Sequence, residues 1–257
     1  MVKTGAARVE AVIDGQTVMM NDGKIVRLLG IEYPFTAGQD VSEQMLAGKD
    51  QLGKWLRKGT DVTLWQSRNN KTGRINRMGQ LLAHLETKKD NQWINGSLIG
   101  AGLVYVETDW NNPDLADQMY ALESRAREKQ SGVWKKDSAA GLLTPETAME
   151  GNGAYRVVEG TVQRAASSKN NLYLNFGHDM KRDFTVQIAP SLRKELSRRG
   201  VDALALSGKK VRVRGWIRDW NGPFMELESV ERLEILSTQP STDLSPPPST
   251  EISTPTR

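Results

Sequence analysis

The sequence predicts a mainly β protein with helices, an α+β chain of two small β-barrels. Two observations support this class. A series of short alternating strands, then one helix, then further strands occurs twice along the chain, and a stretch rich in Ala, Gly and Thr separates the two series. The 257 residues also leave room for two domains of about 100–150 residues each. We therefore expect a first domain at 7–136, a linker at 137–154 and a second domain at 155–236.

The first domain begins with three short strands. Alternation in ARVEAVI, TVMMN and KIVRLLGI predicts these strands, and NDG at 21–23 is typical of a hairpin turn. SEQMLAGKDQLGKWLRKG has apolar residues at helical spacing between an N-cap at Ser42 and a terminating Gly59. DVTLWQ and QLLAHLE are predicted strands, and INGSLIGAGL and the segment from Asn112 to Gly132 are predicted helices. This order is typical of an oligonucleotide-binding (OB) barrel with additional helices.

The second domain repeats this order without evident sequence repetition. YRVVEGTVQRA, NLYLNFG and DFTVQIA predict strands, PSLRKELSRRG predicts a helix, and KKVRVRGWIRDWNGPFMELES and VERLEIL predict the last strands. We therefore expect a second OB-like β-barrel. Residues 237–257 are rich in Pro, Ser and Thr, and their small apolar surface cannot offset the entropy of ordering, which predicts a disordered tail.

The composition limits the kinds of site that the chain can build. It has no cysteine and only two histidines, His84 and His178, which excludes disulfides, thiolate metal sites and cysteine nucleophiles. Any metal would need oxygen ligands. No apolar run approaches the ~18 residues of a membrane span, and the N-terminal segment has no apolar signal region. We expect a soluble protein, cytoplasmic as presented, or periplasmic or secreted if a signal peptide was removed.

The positive charge of the chain is unevenly distributed. Residues 1–150 contain 19 basic and 19 acidic side chains, whereas residues 151–236 contain 15 and 10. Within the first domain, residues 54–77 contain seven basic side chains and one acidic side chain, and Arg74 and Arg77 are candidate nucleic-acid contacts there. Such a segment also fits an ordinary solvated face.

One strand of the second domain alternates basic and apolar residues. Lys210, Arg212 and Arg214 are predicted to form a row of cations on one face, and Tyr173 adds an aromatic ring from a neighbouring strand. Basic rows beside exposed aromatic rings bind single-stranded nucleic acid by phosphate contact and base stacking. The candidate partners are therefore single-stranded DNA or RNA. OB barrels also bind proteins, so a protein partner stays open.

The first domain also carries motifs of a known family. VIDGQT is similar to VIDGDT, VRLLGIEYP to RLxGIDxPE and NRMGQLLAHL to DRYGRxLAxv, and a GLVYV strand and an E…AR…GVW ending follow. From about Val9 to Trp134, the chain therefore resembles the thermonuclease (staphylococcal-nuclease-like) family. The resemblance implies an OB barrel that hydrolyses phosphodiesters: acidic oxygens hold Ca²⁺, a glutamate activates water, and two arginines neutralise the phosphoryl group.

The resemblance assigns each catalytic role to a position of this chain. The metal carboxylates fall on Gln16 and Glu32, the base falls on Phe35, and the two arginines fall on Arg27 and Gln80. Only Arg27 and Glu32 keep the expected kind of group, and they are the vestigial catalytic candidates. Because losing a general base alone costs ~10²–10⁴ in rate, the sequence predicts a pseudonuclease that binds nucleic acid or a protein and has no cofactor.

An active Ca²⁺-dependent phosphodiesterase with a rearranged site is the alternative. In that case Asp14 and Glu32 would be the weak metal ligands, and Arg74 or Arg77 would replace the missing arginine. Arg27 equally fits a structural ion pair with Glu32 across the barrel mouth.

Overall fold

The computed structural model describes residues 1–34, 43–69, 71–109, 111–179 and 182–236. The first domain contains β1 (Val2–Val12), β2 (Thr17–Met20), β3 (Ile25–Leu28), β4 (Ile31–Glu32), α1 (Glu43–Trp55), β5 (Asp61–Gln66), β6 (Leu81–Thr87), α2 (Ile94–Gly100), β7 (Tyr105–Val106) and α3 (Ala116–Glu128). The second domain contains β8 (Tyr155–Thr161), β9 (Arg164–Ser168), β10 (Asn171–Asn175), β11 (Thr185–Ile188), α4 (Pro190–Arg198), β12 (Lys210–Asp219), β13 (Pro223–Leu227) and β14 (Leu233–Leu236).

Five strands of the first domain close into a barrel in the order β1-β2-β3-β6-β5. Strands β3 and β6 pair in parallel, and the other neighbours in the barrel pair antiparallel. The apolar residues of the alternating patterns point inward, and α1 and α2 add Leu52 and Leu98 to the same core. Strands β4 and β7 form a separate two-stranded sheet. The mainly β fold and the OB-like first barrel are therefore confirmed.

Helix α3 begins later than its sequence signals predict. Asn112 lies in a turn, where its backbone N–H donates to Asp109, and α3 follows Leu115, which has a positive φ of 67° and makes no side-chain cap. Gly132 lies in a short 3₁₀ helix (Gly132–Trp134) and not at the end of α3. The predicted N-cap at Ser42 lies outside the described residues.

The second domain repeats the barrel order of the first. Its strands follow the order β9-β10-β11-β13-β12, and β8 pairs with the other edge of β12. Only residues 162 and 163 separate β8 from β9, so together they take the place that β1 has in the first barrel. The parallel pair is β11 with β13, and β14 pairs with β12 as an additional strand. The sheet order agrees with the OB-like barrel expected here.

Residues 137–154 pack between the two barrels. Leu143 and Ala148 are buried in the second core, and the guanidinium of Arg156 donates to the carbonyl oxygens of Ala139 (2.8 Å) and Gly141 (3.0 Å). The predicted tail, 237–257, lies outside the described residues. In the described part of the chain, none of the helices has the length and hydropathy that crossing a membrane requires.

Candidate functional site

The residues that the resemblance assigns to catalysis are held by the first three strands of the barrel and by β4. Gln16 lies in the turn before β2, Arg27 lies on β3 opposite Thr17, and Glu32 ends β4. The Arg27 guanidinium lies 3.8 Å from the Glu32 carboxylate, which also accepts the N–H of Tyr33 at 3.0 Å. Burial raises the pKa of Glu32, and the charge of Arg27 opposes this shift. The ion pair across the barrel mouth is therefore present.

Gln16 has a structural role at the mouth. Its side chain is 2% exposed, and its amide nitrogen donates to the carbonyl oxygens of Ile31 (2.6 Å) and Leu28 (3.5 Å). Its backbone N–H donates to the Asp14 carboxylate at 2.7 Å, which closes the turn. The amide oxygen of Gln16 is buried without a hydrogen-bond partner in the described structure. The side chain thus cross-links the β1–β2 turn to the backbone around β4.

Tyr33 packs against the same turn from the other side. Its hydroxyl donates to the carbonyl oxygen of Gly15 at 2.7 Å, and the side chain is buried. A Cβ at Gly48 of α1 would lie 1.9 Å from this hydroxyl, so the ring occupies space that only glycine leaves open. Burial raises the pKa of Tyr33, so the phenol stays neutral. Helix α1, the ring and the turn are therefore packed as one unit.

The second arginine position is part of a local turn. The amide oxygen of Gln80 accepts from Asn76 at 2.8 Å, and the Gln80 backbone N–H donates to the Asn76 side chain at 3.0 Å. Arg74 donates to the carbonyl oxygen of Ser67 at 2.8 Å, while Arg77 is exposed. Phe35, the position of the expected base, lies outside the described residues.

The side chains that the structure describes at this mouth do not form a set of oxygen ligands for a calcium ion. Ca²⁺ takes about six to eight oxygen ligands, several of them carboxylates. At the two positions that the resemblance assigns to metal ligands, Gln16 directs its amide N–H groups at backbone carbonyls, and Glu32 faces Arg27 and the N–H of Tyr33. Among the described residues, no group of three or more acidic or histidine side chains is arranged to hold a metal. We therefore derive no step through a metal ion.

The second domain reaches the first barrel close to Glu32. Arg232 is almost fully buried and donates to the Glu107 carboxylate (2.7 Å), the Thr108 carbonyl oxygen (2.6 Å) and the Glu228 carboxylate (2.5 Å). Burial raises the pKa of Glu107 to about 7, and the charge of Arg232 opposes the shift. Sequence reasoning missed this cluster, because Arg232 and Glu107 are 125 residues apart and neither belongs to a motif.

Arg214 lies in the same domain interface. Its side chain is 0% exposed, and its guanidinium donates to Glu123 of α3 at 2.8 and 2.9 Å and to Glu234 of β14. It also lies 4.4 Å from the centre of the Tyr120 ring. Arg214 therefore joins β12 to α3 and does not face solvent.

The predicted open row of cations on β12 needs correction. Arg212 is buried between Glu159 (2.6 Å) and Glu234 (3.0 Å), and Lys210, which is half exposed, pairs with Glu159 at 2.7 Å. The alternation was right, but the polar face of β12 packs against acidic side chains of β8, β14 and α3. Arg212 and Arg214 are therefore unavailable to phosphate in this fold.

Tyr173 lines a groove on the surface of the second domain. This cavity of about 390 Å³ also contains Arg164, Trp220 and Phe224. Trp220, at the tip of the β12–β13 hairpin, is 62% exposed. Sequence reasoning did not place Trp220 beside Tyr173. The Asn-Gly pair after Trp220 is a turn signal, and it predicts that this ring lies at the tip of a hairpin.

Comparison with known families bears on the first domain. The model of the family described as "Staphylococcal nuclease homologue" matches residues 25–136. Over these residues the first domain, a closed barrel, is therefore similar to staphylococcal nuclease, and the sheet order of the second domain is compatible with an OB-like barrel. Arg27, Glu32 and Gln80 lie inside the matched range, while Gln16 precedes it. No curated protein matches the chain.

Proposed function

We propose that the chain is a nucleic-acid-binding protein whose staphylococcal nuclease-like domain does not hydrolyse its ligand. The observation that carries this proposal is the structural role of Gln16. Its amide stands at a metal-carboxylate position and donates to the backbone of Leu28 and Ile31. A neutral buried amide that is used in this way binds a divalent cation much more weakly than a free carboxylate does.

The other replaced groups support the same proposal. A missing general base costs ~10²–10⁴ in rate, and a missing donor to the developing charge costs ~10²–10³. Phe35 and Gln80 stand at these two positions, and Gln80 is bonded within its own turn. Because such groups act as a unit, we expect turnover below detection. Nuclease-like domains commonly bind nucleic acid, and that part of the function needs no hydrolytic group.

The test uses the full chain with labelled single-stranded DNA and RNA, in Ca²⁺ or in chelator. We expect binding that weakens with salt and no cleavage in either condition. Ca²⁺-dependent cleavage that disappears in Arg27→Ala, but persists in the exposed control Arg125→Ala, would overturn the proposal and support an active phosphodiesterase. If neither nucleic acid binds, the proposal is wrong and a protein partner is favoured.

A variant that restores all three missing groups gives a second test. Gln16→Asp, Phe35→Glu and Gln80→Arg together should produce Ca²⁺-dependent cleavage, whereas each single change should do little. Gln16→Asp should cost about 1–3 kcal/mol of stability, because it removes the donor from two buried carbonyl oxygens. Circular dichroism therefore precedes the assay. A triple variant that folds and binds Ca²⁺ but cuts nothing would show that these positions were wrongly assigned.

A further inference from the structure

The outer face of the second barrel carries a groove that the nuclease-like domain does not explain. Across the sheet, Arg164 pairs with Asn175, Asn175 with Thr185, Thr185 with Phe224, and Phe224 with Arg218. Because directly opposite residues share a face of a sheet, this row lies on one side, away from the buried Leu174 and Val186. From Arg164 to Phe224, this row forms the floor of the groove.

Three aromatic rings line the groove. Tyr173 lies one row further along the same face, and Trp220 and Phe224 lie at the hairpin end with ring centres 5.9 Å apart. The Arg218 guanidinium lies 5.2 Å from the Trp220 ring and 5.0 Å from the Phe224 ring. The exposed Trp220 ring therefore lies beside the Arg218 cation, and Tyr173 lines the same groove. Unpaired bases stack on aromatic rings of this kind.

The hairpin that carries Trp220 is held in a defined conformation. The backbone N–H of Trp220 donates to the Gly222 carbonyl oxygen at 2.9 Å, and Asn221 and Gly222 both have positive φ, 53° and 95°. A Cβ at Gly222 would lie 2.7 Å from the backbone of Arg182, so the loop lies directly against its neighbour. The backbone that carries the indole is thus positioned before any ligand arrives, which lowers the entropic cost of binding.

The groove continues into a positively charged cavity. A second cavity shares Ser167 with it and is lined by Arg193 and Lys194 of α4. Of the described side chains that line the two cavities, three are basic (Arg164, Arg193 and Lys194) and none is acidic. These three basic side chains form no ion pair with any described residue. Unpaired cations that extend from an aromatic pocket complement a polyanion whose bases are free to stack.

We infer that this groove binds single-stranded nucleic acid, with a base between Tyr173 and Trp220 and the phosphates along Arg164, Arg193 and Lys194. The inference rests on the proposed function and assigns the binding to the second domain. It replaces the predicted contacts Arg212 and Arg214 with the residues that line this groove.

The test measures the affinity of the full chain for fluorescein-labelled oligothymidylate and oligouridylate of about 15 nucleotides, by anisotropy at several salt concentrations. Trp220→Ala should weaken binding about 5- to 150-fold, as expected for loss of one stacked base, and Tyr173→Leu should also weaken it. Trp216→Ala is the matched control, since Trp216 lies on β12 and is 48% exposed but does not line the groove. Binding by this control should equal that of the wild type.

Two further comparisons separate stacking from charge. An abasic strand of the same length keeps the phosphates, so it should bind more weakly, and Trp220→Ala should not weaken it further. Arg164→Ala should lower the log–log salt slope by about 0.7, whereas the paired, exposed Arg198 should contribute little when changed to Ala.

The outcomes distinguish the two proposals. If the wild type binds but Trp220→Ala and Tyr173→Leu bind equally well, the groove inference is wrong and the proposed function stands. Equal affinity for the abasic strand would also overturn the groove inference. If the wild type binds no oligonucleotide, both proposals are wrong and the groove is better matched to a peptide.

Discussion

Arg214→Met should destabilise the folded chain by about 3 kcal/mol. Breaking a buried ion pair costs about 3–5 kcal/mol, mainly because the remaining charge stays buried without its partner. Here that charge is Glu123, whose side chain is 1% exposed. We expect the lower end of the range, because Arg127 (3.2 Å) and the Val106 N–H (2.8 Å) still contact this carboxylate.

A matched exposed pair provides the control. Arg218 lies on the same strand as Arg214 and pairs with Glu226 at 3.2 Å, and both side chains are about half exposed, 50% and 48%. Surface pairs contribute about 0–1 kcal/mol, so Arg218→Met should have little effect on stability. Urea denaturation followed by tryptophan fluorescence and circular dichroism measures both variants. Because Arg214 joins the two domains, Arg214→Met should also separate one unfolding transition into two.

A double variant tests the cause of the loss. Glu123→Gln keeps an oxygen for the Val106 N–H and removes the buried charge. Adding it to Arg214→Met should therefore recover about 1–2 kcal/mol. The reasoning would be refuted if Arg214→Met cost less than about 1 kcal/mol, if it matched Arg218→Met, or if the double variant recovered nothing.

Two further predictions concern the first barrel. Gly48→Ala should destabilise the protein by about 1–3 kcal/mol, since its Cβ would overlap the Tyr33 hydroxyl, whereas Gly53→Ala on the same helix, with open space around it, should stabilise by about 0.5–1 kcal/mol. Equal thermal melting shifts for the two variants would contradict this. Burial lowers the pKa of His84 to about 4. Between pH 6.5 and about 4, the unfolded chain therefore binds a proton at His84 that the folded chain does not bind. The free energy of unfolding should fall by about 2–3 kcal/mol over this range, with no loss above pH 6.5. His84→Asn, which keeps an acceptor for the Trp93 N–H, should lose less stability than wild type between pH 7 and pH 4 in urea titrations, and parallel curves would contradict the assignment.

The strands and most helices could be predicted from the sequence, because their signals are local. Alternation with period two placed β5 and β6, and helical spacing before Gly59 placed α1. Helix α3 was predicted too long, since the Asn112-Pro113 signal also suits the turn that Asp109 closes. A local signal cannot decide between such uses when tertiary packing favours one of them.

At the candidate site, the sequence determined which side chain stands at each position, and the tertiary structure decided which partner that side chain contacts. The resemblance of VIDGQT to VIDGDT assigns Gln16 to a carboxylate position, but the hydrogen bond of Gln16 to Ile31 depends on how the barrel closes. The alternation at Arg214 likewise predicts a polar face and says nothing of Glu123, which lies 91 residues away on another element. A local sequence pattern predicts which face of its element a side chain lies on. The residue that the side chain then contacts depends on how the elements pack together. That packing turned a predicted nucleic-acid contact into a domain interface.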